Sequence, residues 1–113
     1  MSKEVLGIIG GGQLGSMIAA AAKKLNIKTI VFCDDPDAPA QKFSDEFIYG
    51  KYNDINSINK FVDKVDLVTF EFENIPFETL NEINKIKPVM PKPSVNRLIQ
   101  HRLAEKDFIN NLN

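Results

Sequence analysis

The 113-residue sequence has few of the features that mark several functional classes of protein. Its single cysteine, Cys33, excludes an internal disulfide framework and is typical of a reducing compartment. Its 14 basic and 15 acidic residues nearly balance without any basic block, so the charge pattern does not indicate nucleic-acid binding. The longest apolar stretch, residues 14–22, is interrupted by Gly15 and Ser16 and is too short to span a bilayer. These absences predict a cytoplasmic domain with neither a membrane nor a nucleic acid as partner.

The composition that remains is that of a folded domain. Hydrophobic residues make up 43% and charged residues 26% of the chain, with a net charge of -1 and a mean hydropathy of -0.17. These values predict one soluble globular domain with a single core. An enzyme with two substrates usually needs a cleft between larger units, so we expect this chain to be part of a longer protein.

Short apolar runs alternate with segments of helical periodicity. The runs predict strands at residues 5–9, 29–33, 47–49, 67–70 and, very short, 89–90. Such alternation predicts right-handed βαβ crossovers and a mostly parallel sheet that is covered on both faces. We therefore predict a doubly wound, Rossmann-like α/β fold with strand order 3-2-1-4 and a short fifth strand.

The helical segments carry apolar residues at spacings of three and four. The first predicted helix has one such stripe, which we expect to face the sheet: Leu14, Met17, Ile18, Ala21 and Leu25. Asp54 is predicted to cap a second helix, and Pro76 suits the first turn of a third. Ser94 is predicted to cap a final helical region with apolar residues Leu98, Ile99, Leu103, Phe108, Ile109 and Leu112.

The pattern G-x-G-x-x-G occupies residues 10–15, between the first strand and the first helix. Glycine lets the backbone turn sharply and approach a ligand closely. The free N–H groups and the dipole of the following helix favour a phosphate. The pattern predicts a loop that faces a phosphate or a nucleotide, and the alternative is a tight turn without a ligand. It does not distinguish a dinucleotide from a mononucleotide or a sugar phosphate.

An acid after the second strand would favour a dinucleotide, because such sites hold a ribose diol there. Asp34 has that spacing. The alternative, which we favour, is that Asp34 is a solvated loop acid ahead of Pro36. A second mononucleotide-binding half is also missing, since only helix is predicted after the fifth strand. A small NAD-type dinucleotide-binding module, using Gly10, Gly12, Gly15 and Asp34, is the second functional hypothesis. A non-catalytic remnant that acts only in assembly is the third.

Two acids follow the fourth strand in Phe70-Glu71-Phe72-Glu73-Asn74. Strand alternation places Glu71 and Glu73 on one side and the two phenylalanines on the other, and the alternative is a solvated strand end. In a sheet of order 3-2-1-4, ligands bind beyond the carboxyl ends of strands one and four, where the strand order reverses. A phosphate-binding loop facing Glu71 suits a ligand with an anionic end and a hydroxyl- or amine-bearing end.

Four sequence blocks occur in an order that resembles a known family: Gly-Gly-Gly-Gln-Leu-Gly (10–15), Asp-Pro-Asp-Ala-Pro-Ala (35–40), Val-Thr-Phe-Glu-Phe-Glu-Asn (68–74) and Arg-Leu-Ala-Glu-Lys (102–106). They resemble the 5-(carboxyamino)imidazole ribonucleotide synthetases, the ATPase subunits of phosphoribosylaminoimidazole carboxylase. The resemblance implies an ATP-grasp ligase of purine biosynthesis. Such a ligase uses ATP and bicarbonate, through carboxyphosphate and with Mg²⁺, to carboxylate the exocyclic amine of 5-aminoimidazole ribonucleotide.

The resemblance also implies how this chain takes part in that reaction. Residues 1–93 resemble the N-terminal pre-ATP-grasp domain, and residues 94–113 a helical linker toward an ATP-grasp domain. Gly12, Gln13 and Leu14 match the turn that contacts the ribonucleotide, and Glu71 matches the acid that faces it. Arg102 matches an arginine of the ATP site.

The other family domains are implied to hold most of the ATP, the Mg²⁺ and the catalytic apparatus. No catalytic residue is expected in this chain, and the isolated chain is expected to be inactive. The full-length enzyme is implied to be a homodimer.

Overall fold

Strands and helices alternate along the chain, as the periodicity predicts. The computed structural model describes residues 4–71 and 75–90. The strands are β1 (Val5–Ile9), β2 (Lys28–Cys33), β3 (Glu46–Tyr49) and β4 (Leu67–Phe70), and the helices are α1 (Gln13–Lys24), α2 (Ile55–Val62) and α3 (Phe77–Asn84). A short 3-10 helix, Pro39–Lys42, lies between β2 and β3. None of the helices in this part of the chain has the length and apolar character needed to cross a membrane.

Two helices begin where the sequence predicts a start. The Asp54 carboxylate caps α2, with Oδ1 accepting a hydrogen bond from the Asn56 N–H at 3.3 Å and Oδ2 one from the Ser57 hydroxyl at 2.7 Å. Pro76 is the N-cap residue of α3, one position before the helix itself. The final helical region predicted after Ser94 lies outside the described residues.

The four described strands form one parallel sheet of order β3-β2-β1-β4. This arrangement confirms the predicted strand order of 3-2-1-4. In the register, Ile9 at the end of β1 lies opposite Phe32 of β2 on one side and Phe70 of β4 on the other. The carboxyl ends of the central strands therefore meet at one edge of the sheet, on both sides of β1.

The predicted fifth strand is reduced to a single bridge. Val89 pairs in parallel with Val68, whose N–H donates to the Pro88 carbonyl at 2.8 Å and whose carbonyl accepts from the Met90 N–H at 2.8 Å. Prolines stand at positions 88 and 91, and neither has a backbone N–H to extend the ladder. The expected fifth strand at residues 89–90 is therefore not formed, and one bridge to β4 stands in its place.

The sheet is covered on both faces, which confirms the doubly wound architecture. The larger core cluster joins α2 and α3 to one face, with buried side chains that include Phe32, Phe61, Phe70 and Leu80. The smaller cluster joins α1 and the segment that leads into the 3-10 helix to the other face, with Ile8, Val31 and Ala19 among its members. We call these the α2/α3 face and the α1 face.

Helix α1 packs through a different side from the one that the sequence predicts. Its buried residues are small: Gly15, Ala19 and Ala22. In the predicted stripe, Leu14, Met17 and Leu25 are 38%, 61% and 71% exposed. Small side chains let the helix lie close to the strands, so its buried side is set by close approach rather than by the largest apolar residues. Of the predicted stripe, only Ile18 packs against the core cluster of this face, and the other four residues are exposed.

Candidate functional site

The chain turns sharply between β1 and α1, at the carboxyl edge of the sheet. Gly10 has a φ of 100°, in the left-handed region that side chains rarely adopt. Its N–H donates to the Phe32 carbonyl at 2.8 Å, beside the last paired residues of β1 and β2. Gly12 then serves as the N-cap residue of α1. The turn thus brings the amino end of α1 against the ends of the central strands.

Glu71 is the first residue after β4, and it lies beside this turn. Its N–H donates to the Ile9 carbonyl at 2.9 Å, which fixes the residue at the end of β1. Its side chain reaches the amino end of α1, where Oε1 accepts a hydrogen bond from the Gly15 N–H at 2.8 Å. Two motifs far apart in sequence therefore meet at the point where the strand order reverses.

The glycines of the turn are needed for this contact. A Cβ atom on Gly15 would lie 2.3 Å from the carbonyl oxygen of Gly10. A Cβ atom on Gly10 would lie 2.7 Å from Oε2 of Glu71, besides the strain of its positive φ. Close packing within the chain thus accounts for both glycines, and a ligand is not required to explain them.

Glu71 supplies a negative charge that the amino end of α1 otherwise lacks. The N-cap residue, Gly12, provides no side-chain cap, and the first turn of α1 contains no acidic residue. A carboxylate at a helix amino end is stabilised by the unpaired N–H groups and by the helix dipole. The Gly15 N–H, one of the groups that a phosphate would use, is already bonded to Glu71. The sequence predicts free N–H groups for a phosphate at the amino end of α1. In the structure, the Glu71 carboxylate lies there and accepts a hydrogen bond from one of those groups.

The predicted substrate-binding residues lie together at this edge. Gln13 and Leu14 are exposed in the first turn of α1, and Gly12 is half-buried before them. Glu71 is half-buried, and among the residues that the structure describes its Oε2 receives no hydrogen bond. The arrangement offers an incoming ligand one carboxylate oxygen with an exposed amide side chain close by.

The segment around Ala38 and Ala40, which lies beside the turn, supports it. The Ala40 N–H donates to the Gly11 carbonyl at 2.9 Å. Ala38 and Ala40 are buried, and a Cβ atom on Gly11 would lie 2.7 Å from Cβ of Ala38. The small residues of the block at 35–40 were the signal that could have shown this supporting role.

Cys33, the last residue of β2, and Asp34, the residue after it, differ in their exposure. Asp34, the acid of the NAD-type hypothesis, is exposed. Cys33 is buried and its Sγ accepts a hydrogen bond from the Tyr52 hydroxyl at 3.6 Å, in line with its predicted place in the core. Burial, helped by this hydrogen bond, raises the pKa of Tyr52 well above its ordinary value of 10.0.

Part of the predicted site lies outside the described residues. Arg102, the predicted ATP-site residue, is in that part of the chain, as are Glu73 and Asn74, which follow Glu71 in the sequence. Within residues 4–71 and 75–90, no group of three or more histidine, cysteine, aspartate or glutamate side chains is placed to hold a metal ion.

A parallel sheet of order β3-β2-β1-β4, with a glycine turn and an acid where that order reverses, defines a Rossmann-like α/β domain. The sequence profile of the ribonucleotide synthetase preATP-grasp domain matches residues 2–100. The chain belongs to that family, which confirms the resemblance seen in its four sequence blocks.

Relatives of known sequence and structure agree with this assignment. The N5-carboxyaminoimidazole ribonucleotide synthase of Staphylococcus epidermidis is 38% identical over 104 residues, covering 92% of this chain and 28% of the relative. The N5-carboxyaminoimidazole ribonucleotide synthetase of Thermus thermophilus superposes with a TM-score of 0.81 at 34% identity, over 95% of this chain and 29% of the other.

An Aspergillus clavatus N5-carboxyaminoimidazole synthase, crystallised with ADP and 5-aminoimidazole ribonucleotide, gives a TM-score of 0.76 at 27% identity. That match covers 98% of this chain and 30% of the other. This chain thus spans less than a third of the length of each of these three relatives.

Proposed function

We propose that this chain is the substrate-binding, N-terminal part of an ATP-dependent ligase of purine biosynthesis. The ligase carboxylates 5-aminoimidazole ribonucleotide with bicarbonate. Family membership supports the reaction class, and one relative was crystallised with ADP and this ribonucleotide. The observation that carries the proposal is the contact of the Glu71 carboxylate with the first turn of α1.

The charge of Glu71 determines which end of a ribonucleotide faces the turn. A carboxylate only accepts hydrogen bonds, so Oε2, which receives none from the residues that the structure describes, suits a hydroxyl or amine donor of the ligand. The same charge repels a phosphate, and in a partly buried site this repulsion is weakly screened. The ribonucleotide therefore binds with hydroxyl or amine groups toward Glu71 and Gln13 and with its phosphate pointing away from the turn.

The remaining elements of the reaction belong to other parts of the proposed enzyme. Residues 1–93 form the pre-ATP-grasp domain, and residues 94–113 lead toward an ATP-grasp domain, with Arg102 contributing to the ATP site. ATP and Mg²⁺ are held mainly by that further domain, in a cytoplasmic homodimer. A labile carboxyphosphate requires a closed, dry site, which one open sheet edge does not provide. The 113-residue chain by itself is expected to release no ADP from ATP.

Titration of the 113-residue chain with 5-aminoimidazole ribonucleotide, followed by amide chemical shifts, tests the proposal. Glu71→Gln keeps a side-chain oxygen for the Gly15 N–H but removes the charge, and it should weaken binding at least about tenfold, since a hydrogen bond to a charged group is worth about 1.5–3 kcal/mol. Gln13→Ala should also weaken binding. The matched control is Glu82→Gln, on the exposed side of α3. Equal affinities of the Glu71→Gln and Glu82→Gln chains would contradict the proposal.

The NAD-type hypothesis is tested by the same method with NADH as the probe. Asp34 is exposed and free of the core, so Asp34→Ala should leave the fold intact. NADH binding at micromolar concentration that is abolished by Asp34→Ala would favour a dinucleotide-binding module instead. No NADH binding, together with Glu71-dependent binding of the ribonucleotide, is the result we expect.

A further inference from the structure

Gly11 is the point at which the turn between β1 and α1 meets the segment of residues 38–40. Its carbonyl accepts a hydrogen bond from the Ala40 N–H at 2.9 Å. Gly11, Ala38 and Ala40 are all buried, where a hydrogen bond is stronger than it is in water. A Cβ atom on Gly11 would lie 2.7 Å from Cβ of Ala38 and 3.2 Å from both Cβ and Sγ of Cys33. Gly11 is therefore enclosed by two segments, and one of them also holds its main chain.

The hydrogen bond from Ala40 orients the peptide group between Gly11 and Gly12. In a trans peptide, the carbonyl oxygen of one residue and the N–H of the next point in opposite directions. Because the Gly11 carbonyl points to Ala40, the Gly12 N–H points away from it. The next peptide group is held as well, since the Gly12 carbonyl accepts hydrogen bonds from the Ser16 N–H at 2.9 Å and the Ser16 hydroxyl at 2.8 Å. The two peptide groups that lead into Gln13 are thus fixed, one by residue 40 and one by the first turn of α1.

The segment of residues 38–40 is itself held in position. Before it, the Asp35 carbonyl accepts a hydrogen bond from the Ala38 N–H at 3.3 Å. After it, the Ala40 carbonyl accepts one from the Phe43 N–H at 3.0 Å. The side chains of Ala38 and Ala40 both belong to the core cluster of the α1 face. The segment is therefore a fixed support for the turn.

The supported part of the turn lies beside the carboxylate of the candidate site. A Cβ atom on Gly12 would lie 3.1 Å from Oε1 and 3.5 Å from Oε2 of Glu71. Gly15, whose N–H donates to Oε1, follows three residues later. A displacement of Gly11 would therefore be passed on to the distance between the turn and this carboxylate. That distance separates Gln13 from Glu71, the two side chains that we propose contact the ribonucleotide.

We propose that Ala38 and Ala40 are positioning residues for substrate binding and that they act through Gly11. Ala40 holds the Gly11 carbonyl, and the single methyl group of Ala38 leaves beside Gly11 the space that a glycine needs. Both alanines are buried and act on the ligand through the turn, by keeping Gln13 and Glu71 at a fixed separation. The ligand in this role is the ribonucleotide of the proposed function, on which this inference rests.

Moving one methyl group across this contact tests the proposal. Gly11→Ala brings a Cβ atom within 2.7 Å of Cβ of Ala38, and Ala38→Gly removes that partner atom. In titrations of the 113-residue chain with 5-aminoimidazole ribonucleotide, Gly11→Ala should weaken binding at least about fivefold, and the double variant should bind at least about threefold more tightly than Gly11→Ala, because substitutions in contact are not additive. A double variant that binds no better than Gly11→Ala would overturn the proposal, as would a Gly11→Ala chain that binds like the wild type.

Hydrogen exchange of the Gly15 amide reports the position of the turn without any ligand. In the free chain, Gly11→Ala should lower the protection of this amide at least about threefold relative to that of Val31 in β2, and the double variant should restore the ratio. The matched control is Gly7→Ala, whose Cβ atom would lie 2.5 Å from Cζ of Phe61 on the α2/α3 face. It crowds the core away from the turn, so it should lower both protections and leave their ratio unchanged.

The two measurements separate this proposal from the proposed function. Ribonucleotide binding that depends on Glu71 but is not recovered in the double variant would leave the proposed function standing and overturn the role of Ala38. A wild type that binds no ribonucleotide, with Gly15 protection lost in Gly11→Ala and restored in the double variant, would contradict the proposed function and support the positioning of the turn. If Gly11→Ala does not fold, Ala38→Gly alone decides: it should weaken binding at least about twofold, since a less ordered turn must be ordered on binding, and unchanged affinity would overturn the proposal.

Discussion

Oε1 of Glu71 lies 2.8 Å from the backbone nitrogen of Gly15, and this hydrogen bond joins residues 56 positions apart. It links the end of β4 to the first turn of α1 across the central strand β1. The carboxylate therefore stabilises the fold at the same place where we propose that it binds a ligand. A ligand that approaches meets an acceptor already held in position, so little ordering of the side chain is needed on binding.

The first prediction concerns the stability that this contact provides. Glu71→Ala should lower the free energy of unfolding by about 1–3 kcal/mol, since a charge-assisted hydrogen bond at a helix amino end is lost. Glu71→Gln keeps the acceptor and should cost only about 0.3–1 kcal/mol. Urea unfolding at neutral pH measures both values.

The control for this measurement is Glu82→Ala. Glu82 forms an exposed ion pair with Lys85 at 3.0 Å, so its removal should change stability by less than about 0.5 kcal/mol. If Glu71→Ala lowers the free energy of unfolding by no more than this control does, the contact with Gly15 does not stabilise the domain.

The second prediction concerns Gly15, where two effects have opposite signs. Replacing a helical glycine with alanine normally stabilises a helix by up to about 1 kcal/mol. At Gly15 the added Cβ would lie 2.3 Å from the Gly10 carbonyl oxygen, so Gly15→Ala should instead destabilise the domain by about 1–3 kcal/mol.

Ala21→Gly shows whether α1 otherwise follows helix propensity. Ala21 is exposed on the same helix, and this change should destabilise the domain by about 1 kcal/mol. A stabilising Gly15→Ala substitution, measured in the same urea series, would mean that the turn has room that the structure does not show.

The strand order could be predicted because the alternation of apolar runs and helical segments allows few other arrangements. The four strands and the caps at Asp54 and Pro76 follow from residue types with strong local preferences. The buried side of α1 could not be predicted in this way. Hydrophobic periodicity predicts that Leu14 and Met17 are buried. In the structure the small residues Gly15 and Ala19 are buried instead, because they allow close contact with the strands. Periodicity records apolar character but not the distance between a helix and a sheet.

The candidate site also has features that the sequence predicts and features that only the packing of the folded chain determines. The strand order placed the glycine turn and Glu71 at one edge, because both follow the carboxyl ends of neighbouring strands. What could not be predicted is that the carboxylate bonds to the Gly15 N–H. That bond depends on side-chain reach and on the close approach allowed at Gly10, which are properties of the folded packing. It supports the proposal that a ligand meets the turn with a hydrogen-bond donor rather than with a phosphate.

The third prediction is a loss of stability in alkaline solution. Burial and the hydrogen bond to Cys33 raise the pKa of Tyr52 in the folded state above its ordinary 10.0. The folded state keeps the proton where the unfolded chain loses it, so this stabilisation is present below pH 10.0 and is lost as the pH rises above it. The urea midpoint of the wild type should fall more steeply above that pH than the midpoint of Tyr52→Phe.

The matched control is Tyr49→Phe, which removes the exposed tyrosine of β3. This variant should keep the steep alkaline decline of the wild type, because Tyr52 is intact. A Tyr52→Phe chain that declines as steeply as the wild type would show that other groups cause the loss.

The fourth prediction concerns acid and the cap of α2. The hydrogen bond from the Ser57 hydroxyl holds the pKa of Asp54 below its ordinary value of 3.8, with a smaller opposing effect of desolvation. Stability from a lowered pKa is present above the unfolded-state value and is lost as the pH falls through the folded-state value. Asp54→Asn keeps a neutral cap. The wild type should therefore melt above this variant at neutral pH, and the gap should narrow below pH 3.8.

Comparing aspartate and asparagine at position 54 again in a Ser57→Ala background identifies the cause of the difference in melting temperature. Because the Ser57 hydroxyl makes the largest contribution to the lowered pKa, its removal should shrink the neutral-pH difference between aspartate and asparagine at position 54. The N–H of Asn56 still donates to the same carboxylate, so a part of the difference should remain. A melting gap that is the same at every pH, or one that Ser57→Ala leaves unchanged, would show that the charge of Asp54 does not stabilise the amino end of α2.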